Sequence, residues 1–203
     1  MKYLMKKSRL DEILQSVHKA IYPAKCLFCN KVLEYKNAYM CSECQCYFKP
    51  PYPYNDKTKV PIHALKYAGE KTLARPIAQA MVGSIVFKPN FLMPVPLHKN
   101  RLQIRGFNQS ALLAIELAKI MNLPAIDGLE RVRDTAPQYG LSPEERAKNL
   151  ENAICIKEGF CPKDTNILLI DDIYTTGATT NECIRALKSA GAKQVEIATF
   201  AKA

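Results

Sequence analysis

The chain has 203 residues and a formal net charge of +10, with 48% hydrophobic and 24% charged residues. That length holds one good core and a small appendage, and no apolar run reaches the ~20 residues that a helix needs to cross a bilayer, which excludes a membrane-spanning helix. The charge is uneven: residues 1–105 hold 18 Lys and Arg against 6 Asp and Glu, a net +12, whereas residues 106–203 hold 11 against 13, a net −2, so the first half is suited to a polyanionic partner.

The opening stretch MKYLMKKSRLDEIL builds no continuous apolar core of the kind a secretory leader carries, and none is expected. Leu10, Ile13, Leu14, Val17 and Ile21 then keep helical spacing, predicting a helix that docks on its neighbour. Next come Cys26-x2-Cys29 and Cys41-x2-Cys44, separated by eleven residues. Four thiolates at this zinc-ribbon spacing close a tetrahedral site with no open position, so the metal would fold the segment and do no chemistry. Cys46 offers a competing register for the second pair, and disulfides are a lower-ranked reading without a leader. Cys155, Cys161 and Cys183 read as core or surface thiols.

Tyr22, Phe28, Tyr35, Tyr39, Tyr47, Phe48, Tyr52 and Tyr54 are interleaved with Lys25, Lys31, Lys36 and Lys49. Such a mixture suits exposed bases stacked on rings with lysines on the phosphates; it equally suits a small module whose aromatics are its core and whose lysines are solvated. The proline-rich stretch 50–59, PPYPYNDKTK, predicts a linker. His63 and Lys66 follow, His63 reading as a packing or solvent-facing residue. Leu73, Ile77, Ala80 and Met81 predict a helix with Pro76 in its first turn, where a missing N–H is tolerated.

Residues 91–96, FLMPVP, predict a strand kept short by its prolines. A loop dense in His98, Lys99, Arg101 and Arg105 leads to an apolar helix over 107–121. A basic loop at a helix start suits a pyrophosphate, and equally a solvated surface.

The strongest pattern is NILLIDDIYTTGATT, residues 166–180. Ile167–Ile170 lacks polar alternation and predicts a strand covered on both faces, as in a parallel sheet flanked by helices. Asp171 and Asp172 should mark its carboxyl end, where open α/β sheets place ligands. Paired carboxylates suit the vicinal hydroxyls of a ribose and a divalent ion. Thr175, Thr176, Gly177, Ala178, Thr179 and Thr180 then supply hydroxyls, small side chains and close backbone approach before a helix with Ile184 and Leu187 on one face, a setting for a phosphate. Gly191 suits a left-handed C-terminal cap, and Val195, Ile197 and Phe200 predict a last strand. No Gly-Lys-Ser/Thr follows, so this is not a Walker loop; the plain alternative is a helix capped by acids.

Residues 166–180 resemble the ribose-phosphate signature of type I phosphoribosyltransferases, which bind phosphoribosyl pyrophosphate (PRPP) with magnesium. The order of the two cysteine pairs, LKYAGEKTLAR, VPLHKNRLQIRGFNQS, RVRDTAPQYGLSPEERAKN and LLIDDIYTTGATT resembles the ComF family, specifically its ComFC-type members, over about residues 22–200. The resemblance implies a type I phosphoribosyltransferase-like parallel sheet flanked by helices, with a zinc-ribbon module. It places the module and its leading helix in residues 1–55 and the transferase-like domain in 56–203.

Carried residue by residue, it makes Asp171 and Asp172 the catalytic ribose-diol acids, Thr175–Thr180 the 5′-phosphate loop, and Leu97, His98 and Lys99 the pyrophosphate loop. Residues 131–149, with Arg131, Arg133, Gln138, Gly140 and Arg146, become a mobile loop closing over PRPP, with Arg146 on the pyrophosphate. Structural Zn2+ and Mg2+ with PRPP are the implied ions. The implied role is in natural transformation, handling incoming single-stranded DNA in the cytoplasm or, through partners, at the inner face of the membrane. Lys25, Lys31, Lys36, Lys49, Arg101 and Arg105 are the expected DNA contacts. Two other readings stay open: an active transferase moving ribose 5-phosphate to a nitrogen acceptor, and an adaptor docking on a DNA-translocating helicase.

Overall fold

A computed structural model of the chain describes residues 25–33, 39–47, 50–133 and 152–203. The expected helix over Leu10–Ile21, Lys36, Lys49, Gln138 and Arg146 lie outside the described residues.

The framework is a four-stranded, wholly parallel sheet in the order β1 (Tyr52–Pro53), β6 (Gln194–Lys202), β5 (Asn166–Tyr174), β2 (Phe91–Pro94). Its central strand β5 alternates between two cores, because successive side chains point to opposite faces. Leu168 and Ile170 join Leu92, Ala198 and Phe200 on one face, under α3 (Ala74–Val82) and α5 (Gln109–Met121), which contribute Ile77, Met81, Leu113 and Leu117. Ile167 and Leu169 join Phe91 and Met93 on the other, under α6 (Ala178–Ser189) with Cys183 and Leu187. Both faces are covered, which is why β5 reads as one apolar run. Each fully buried Leu or Ile here contributes about 1.5–3 kcal/mol.

The parallel sheet flanked by helices therefore stands as expected. The helix starts are written locally: Asn108 accepts from the Ser110 amide at 3.0 Å to cap α5, which ends at Asn122 in the left-handed region, φ 53°. Pro76 falls in the first turn of α3, and Gly191, φ 93°, follows the end of α6.

Four local expectations are corrected. Stretch 50–59 is no linker: Tyr52–Pro53 adds an edge strand to β6, and Asn55 caps α2 (Asp56–Tyr67) through a reciprocal pair with Thr58. The Lys99–Arg105 segment is a short helix, α4, rather than a loop; His98 caps it and Gly106, φ 78°, ends it. The strand does not stop at the acids, since β5 runs on to Tyr174 while β6 continues beside it. Arg131 belongs to β3 (Leu129–Arg131), which pairs antiparallel with β4 (Ile154–Ile156), so the expected mobile loop begins after an ordered, buried residue.

The cysteine segment packs into the first core. Phe28, Met40, Cys41 and Cys44 are buried with Tyr52 and Phe200, and a short helix, α1 (Ser42–Tyr47), starts just after Cys41 and carries Cys44.

Candidate functional site

Strand β2 pairs with β5 only as far as Pro94 opposite Ile170, and the Val95 amide closes that ladder on the Ile170 carbonyl at 3.0 Å. Beyond this point β5 lacks its β2 neighbour, so Asp171 and Asp172 open at the carboxyl edge of the sheet while Leu97, His98 and Lys99 leave the adjacent strand end. The glycine-threonine loop follows three residues later. Three of the expected segments thus converge on one edge, as parallel α/β sheets place their ligand sites.

The two acids have different settings. Asp172 is 4% exposed; its carboxylate is ion-paired to Lys66 and accepts from Gln109 Nε2 at 3.3 Å, and Gln109 in turn accepts from the Arg105 guanidinium. Asp171 accepts from the Ser110 hydroxyl at 2.8 Å and from the Asp172 amide at 2.9 Å. Burial, reinforced by the neighbouring Asp172 charge, pushes the Asp171 carboxyl up to about 7 against these hydrogen bonds and Lys66. Asp171 is thereby poised to gain or lose a proton near neutrality, beside an acid fixed by Lys66 and Gln109. A pair in that state accepts hydrogen bonds from a diol and can ligate a divalent cation.

Gly177 precedes α6 in the left-handed region, φ 76°, and the first intrahelical bond runs from the Asn181 amide to the Gly177 carbonyl at 2.7 Å. The amides of the first turn consequently point out of the helix toward the loop, together with the positive end of the helix dipole. A Cβ on Gly177 would collide with the Tyr174 hydroxyl and ring, so Tyr174 explains why only glycine fits. Thr175 is exposed, Thr180 is buried, and Thr176 accepts from the Ala178 amide at 3.5 Å. His98 is buried and spends Nδ1 on the Asn100 amide at 3.3 Å, a cap on α4, leaving Lys99 exposed beside it.

Sequence reading missed Lys66, Gln109 and Ser110. Lys66 sits in LKYAGEKTLAR, and Gln109 and Ser110 in GFNQS, where they read as the polar start of an apolar helix. Their link to Asp171 and Asp172 spans more than 60 residues and exists only once α5 lies over β5. His63 is exposed near Tyr54 and Tyr67, as expected.

A second centre lies in the N-terminal segment. The sulfurs of Cys26, Cys29, Cys41 and Cys44 all lie within 4.8 Å of one another, with Cys29 and Cys41 3.6 Å apart. A tetrahedral zinc with Zn–S near 2.3 Å requires sulfurs about 3.8 Å apart, so the donor set fits. Burial opposes ionisation of Cys26, but the amides of Cys41, Cys29 and Phe28 outweigh it and lower its pKa to about 7. The Cys46 side chain lies outside what is described. Nearby, Lys25 is exposed, while Lys31 is paired with Glu43 at 3.0 Å; Arg101 and Arg105 lie on α4.

Residues 108–203 match the model of the phosphoribosyl transferase domain. Competence protein F of Haemophilus influenzae is 34% identical over 118 residues, covering 57% of this chain and 51% of its own. The DNA utilization protein YhgH of Salmonella typhi is 32% identical over 146 residues, 67% of this chain and 63% of that one. Competence protein ComFC of Bacillus subtilis is 32% identical over 153 residues, 73% and 60% respectively. The aligned part thus spans between 51% and 63% of these relatives' own length. The domain match, these identities and the parallel sheet agree: the chain belongs to the ComF family and has a type I phosphoribosyltransferase-like fold.

Proposed function

We propose that this chain binds PRPP with magnesium and acts in DNA uptake, handling incoming single-stranded DNA on the cytoplasmic side. The observation that carries the reading is the convergence of Asp171 and Asp172, the Thr175–Thr180 loop and Leu97–Lys99 on one sheet edge. In this reading the acids hold the ribose diol, the α6 amides hold the 5′-phosphate, and the amides leading into α4 hold the pyrophosphate, with Arg146 as a further pyrophosphate contact. Magnesium, when bound, neutralises pyrophosphate charge. The relatives named for competence and DNA utilization support the cellular role. The four cysteines hold one structural zinc, and residues 1–55 and 56–203 divide the labour between metal module and sugar-phosphate domain. Among the described residues no helix is long and apolar enough to cross a membrane.

A second reading, an active transferase, is favoured by the depth of the acid pair: Asp172 fixed by Lys66 and Gln109 beside a half-buried Asp171 is a preorganised site for a cationic sugar. A nitrogen nucleophile would then attack the anomeric carbon as the bond to pyrophosphate breaks.

The cellular test places wild type or Asp171→Ala/Asp172→Ala in a naturally transformable host whose own ComF-family gene has been deleted. Transformant recovery at the level of the deletion, with normal protein abundance, is the expected result. Wild-type recovery from the double variant would sink the sugar-phosphate site as part of DNA uptake.

A further inference from the structure

Lys66, paired with Asp172, and Arg105, bonded to Gln109, both also line a cavity of about 410 Å3 that these two residues connect to the acid pair. Tyr67, Ile104, Phe107 and Arg101 form the rest of its functional wall, and no Asp or Glu is among the described residues that line it. Tyr67 is 71% exposed and Ile104 is 88% exposed, an apolar presentation that folded surfaces usually reserve for contacts when it is grouped. Its rings already meet cations: the Arg105 guanidinium lies 5.3 Å from the Tyr67 ring centre, and Lys71 Nζ lies 4.9 Å from that of Phe107.

Pyrophosphate alone would use the cations and leave Tyr67 and Ile104 without purpose. An apolar peptide would use the rings and strand Arg101 and Arg105 without counter-charge, Lys66 already being paired with Asp172. A planar base joined to a phosphate uses both, by stacking on aromatic and guanidinium planes and by neutralisation of its backbone.

We propose that this cavity seats an exposed base of single-stranded nucleic acid, stacked on the Tyr67–Arg105 pair with the adjoining phosphate on Arg101. The polymer's identity rests on the DNA-handling reading above; the location rests on the cavity alone. It moves the principal nucleic-acid contact from the cysteine segment, where Lys31 is neutralised by Glu43, to the mouth of the sugar-phosphate site. Because Lys66 and Arg105 serve both places, strand and PRPP influence each other's affinity reciprocally.

The test is fluorescence anisotropy on the full chain with labelled oligodeoxythymidylate, an abasic oligonucleotide of equal length, and thymidine monophosphate as competitor. Tyr67→Ala should weaken oligonucleotide binding roughly ten-fold and Tyr67→Phe less than about two-fold, as expected for stacking. The abasic strand should bind wild type about as weakly as the intact strand binds Tyr67→Ala. Arg101→Gln should flatten the logarithmic salt slope by about 0.7. If Tyr67→Ala loses its fold, the abasic arm and Tyr67→Phe still decide. Wild-type binding by Tyr67→Ala with loss in Lys25→Gln would overturn the location and leave the DNA reading intact. Mononucleotide binding as tight as the oligonucleotide's would overturn the polymer in favour of a small acceptor, and no binding of any strand by wild type would overturn both readings.

Discussion

Phe28, which lies between Cys26 and Cys29, stacks on Phe200 of β6 with ring centres 5.9 Å apart and planes 14° from parallel. Tyr52 of the edge strand completes the cluster, 4.9 Å from Phe28 and 5.1 Å from Phe200. The proposed metal module therefore shares its core with the sheet that holds the acids.

Metal removal should then be felt well beyond the cysteines. Chelation, or Cys26→Ser with Cys41→Ser, should release about one zinc per chain and lower the melting temperature of the whole domain in one transition. Phe28→Ala should cost about 3–5 kcal/mol in urea denaturation, as buried Phe truncations do. A chelated protein that melts as before, or Phe28→Ala within 1 kcal/mol of wild type, would show that module and sheet are energetically separate.

Lys66 and Asp172 make a buried charge pair, with side chains 16% and 5% exposed. Removing one partner leaves the other buried without compensation, which costs about 3 kcal/mol or more. Lys66→Met should therefore destabilise strongly, and Lys66→Met/Asp172→Asn should recover much of the loss. Strictly additive effects in chemical denaturation would contradict the pairing.

The Asp171 carboxyl, raised from 3.8 to about 7 chiefly by burial and next by Asp172, gives a signed pH dependence. Between these values the folded state binds more protons at this site than the unfolded state, so its contribution to stability is fully present below about pH 4 and lost as pH rises through about 7. Subtracting the stability profile of Asp171→Asn from that of wild type isolates this contribution. A difference that grows more favourable to wild type from pH 4 to 7 would contradict the assignment.

Gly177 and Tyr174 test the phosphate loop. Gly177→Ala forces a side chain into the left-handed region and onto the Tyr174 ring, at a cost of about 1–2 kcal/mol for the backbone conformation alone. Calorimetry should show PRPP affinity reduced at least about ten-fold, and Tyr174→Ala added to it should relieve the clash while the backbone strain persists. Unchanged affinity in Gly177→Ala would place the 5′-phosphate elsewhere.

The parts legible in sequence are those whose signal is local. The apolar run Ile167–Ile170, the acids that end it, the glycine before α6 and the four cysteines each carry their chemistry within a few residues. What was hidden depends on distant partners. Tyr52–Pro53 is a strand only because β6 continues alongside it, so its prolines suggested a linker. Lys99–Arg105 is a helix of seven residues, too short for a periodic signal and recognisable only by the His98 and Gly106 caps. Lys66 acquires its role when α2 sets it against Asp172, and Arg131 is buried by pairing with β4. Apart from the Lys99–Arg105 helix, each of these is a tertiary contact that local composition does not carry.

The most direct measurement is a calorimetric titration of PRPP with magnesium into the purified full chain and into Asp171→Ala/Asp172→Ala. Saturable binding near one PRPP per chain, lost in the double variant, is the predicted result. Absence of binding by wild type, or equal binding by a folded double variant, would contradict the sugar-phosphate site.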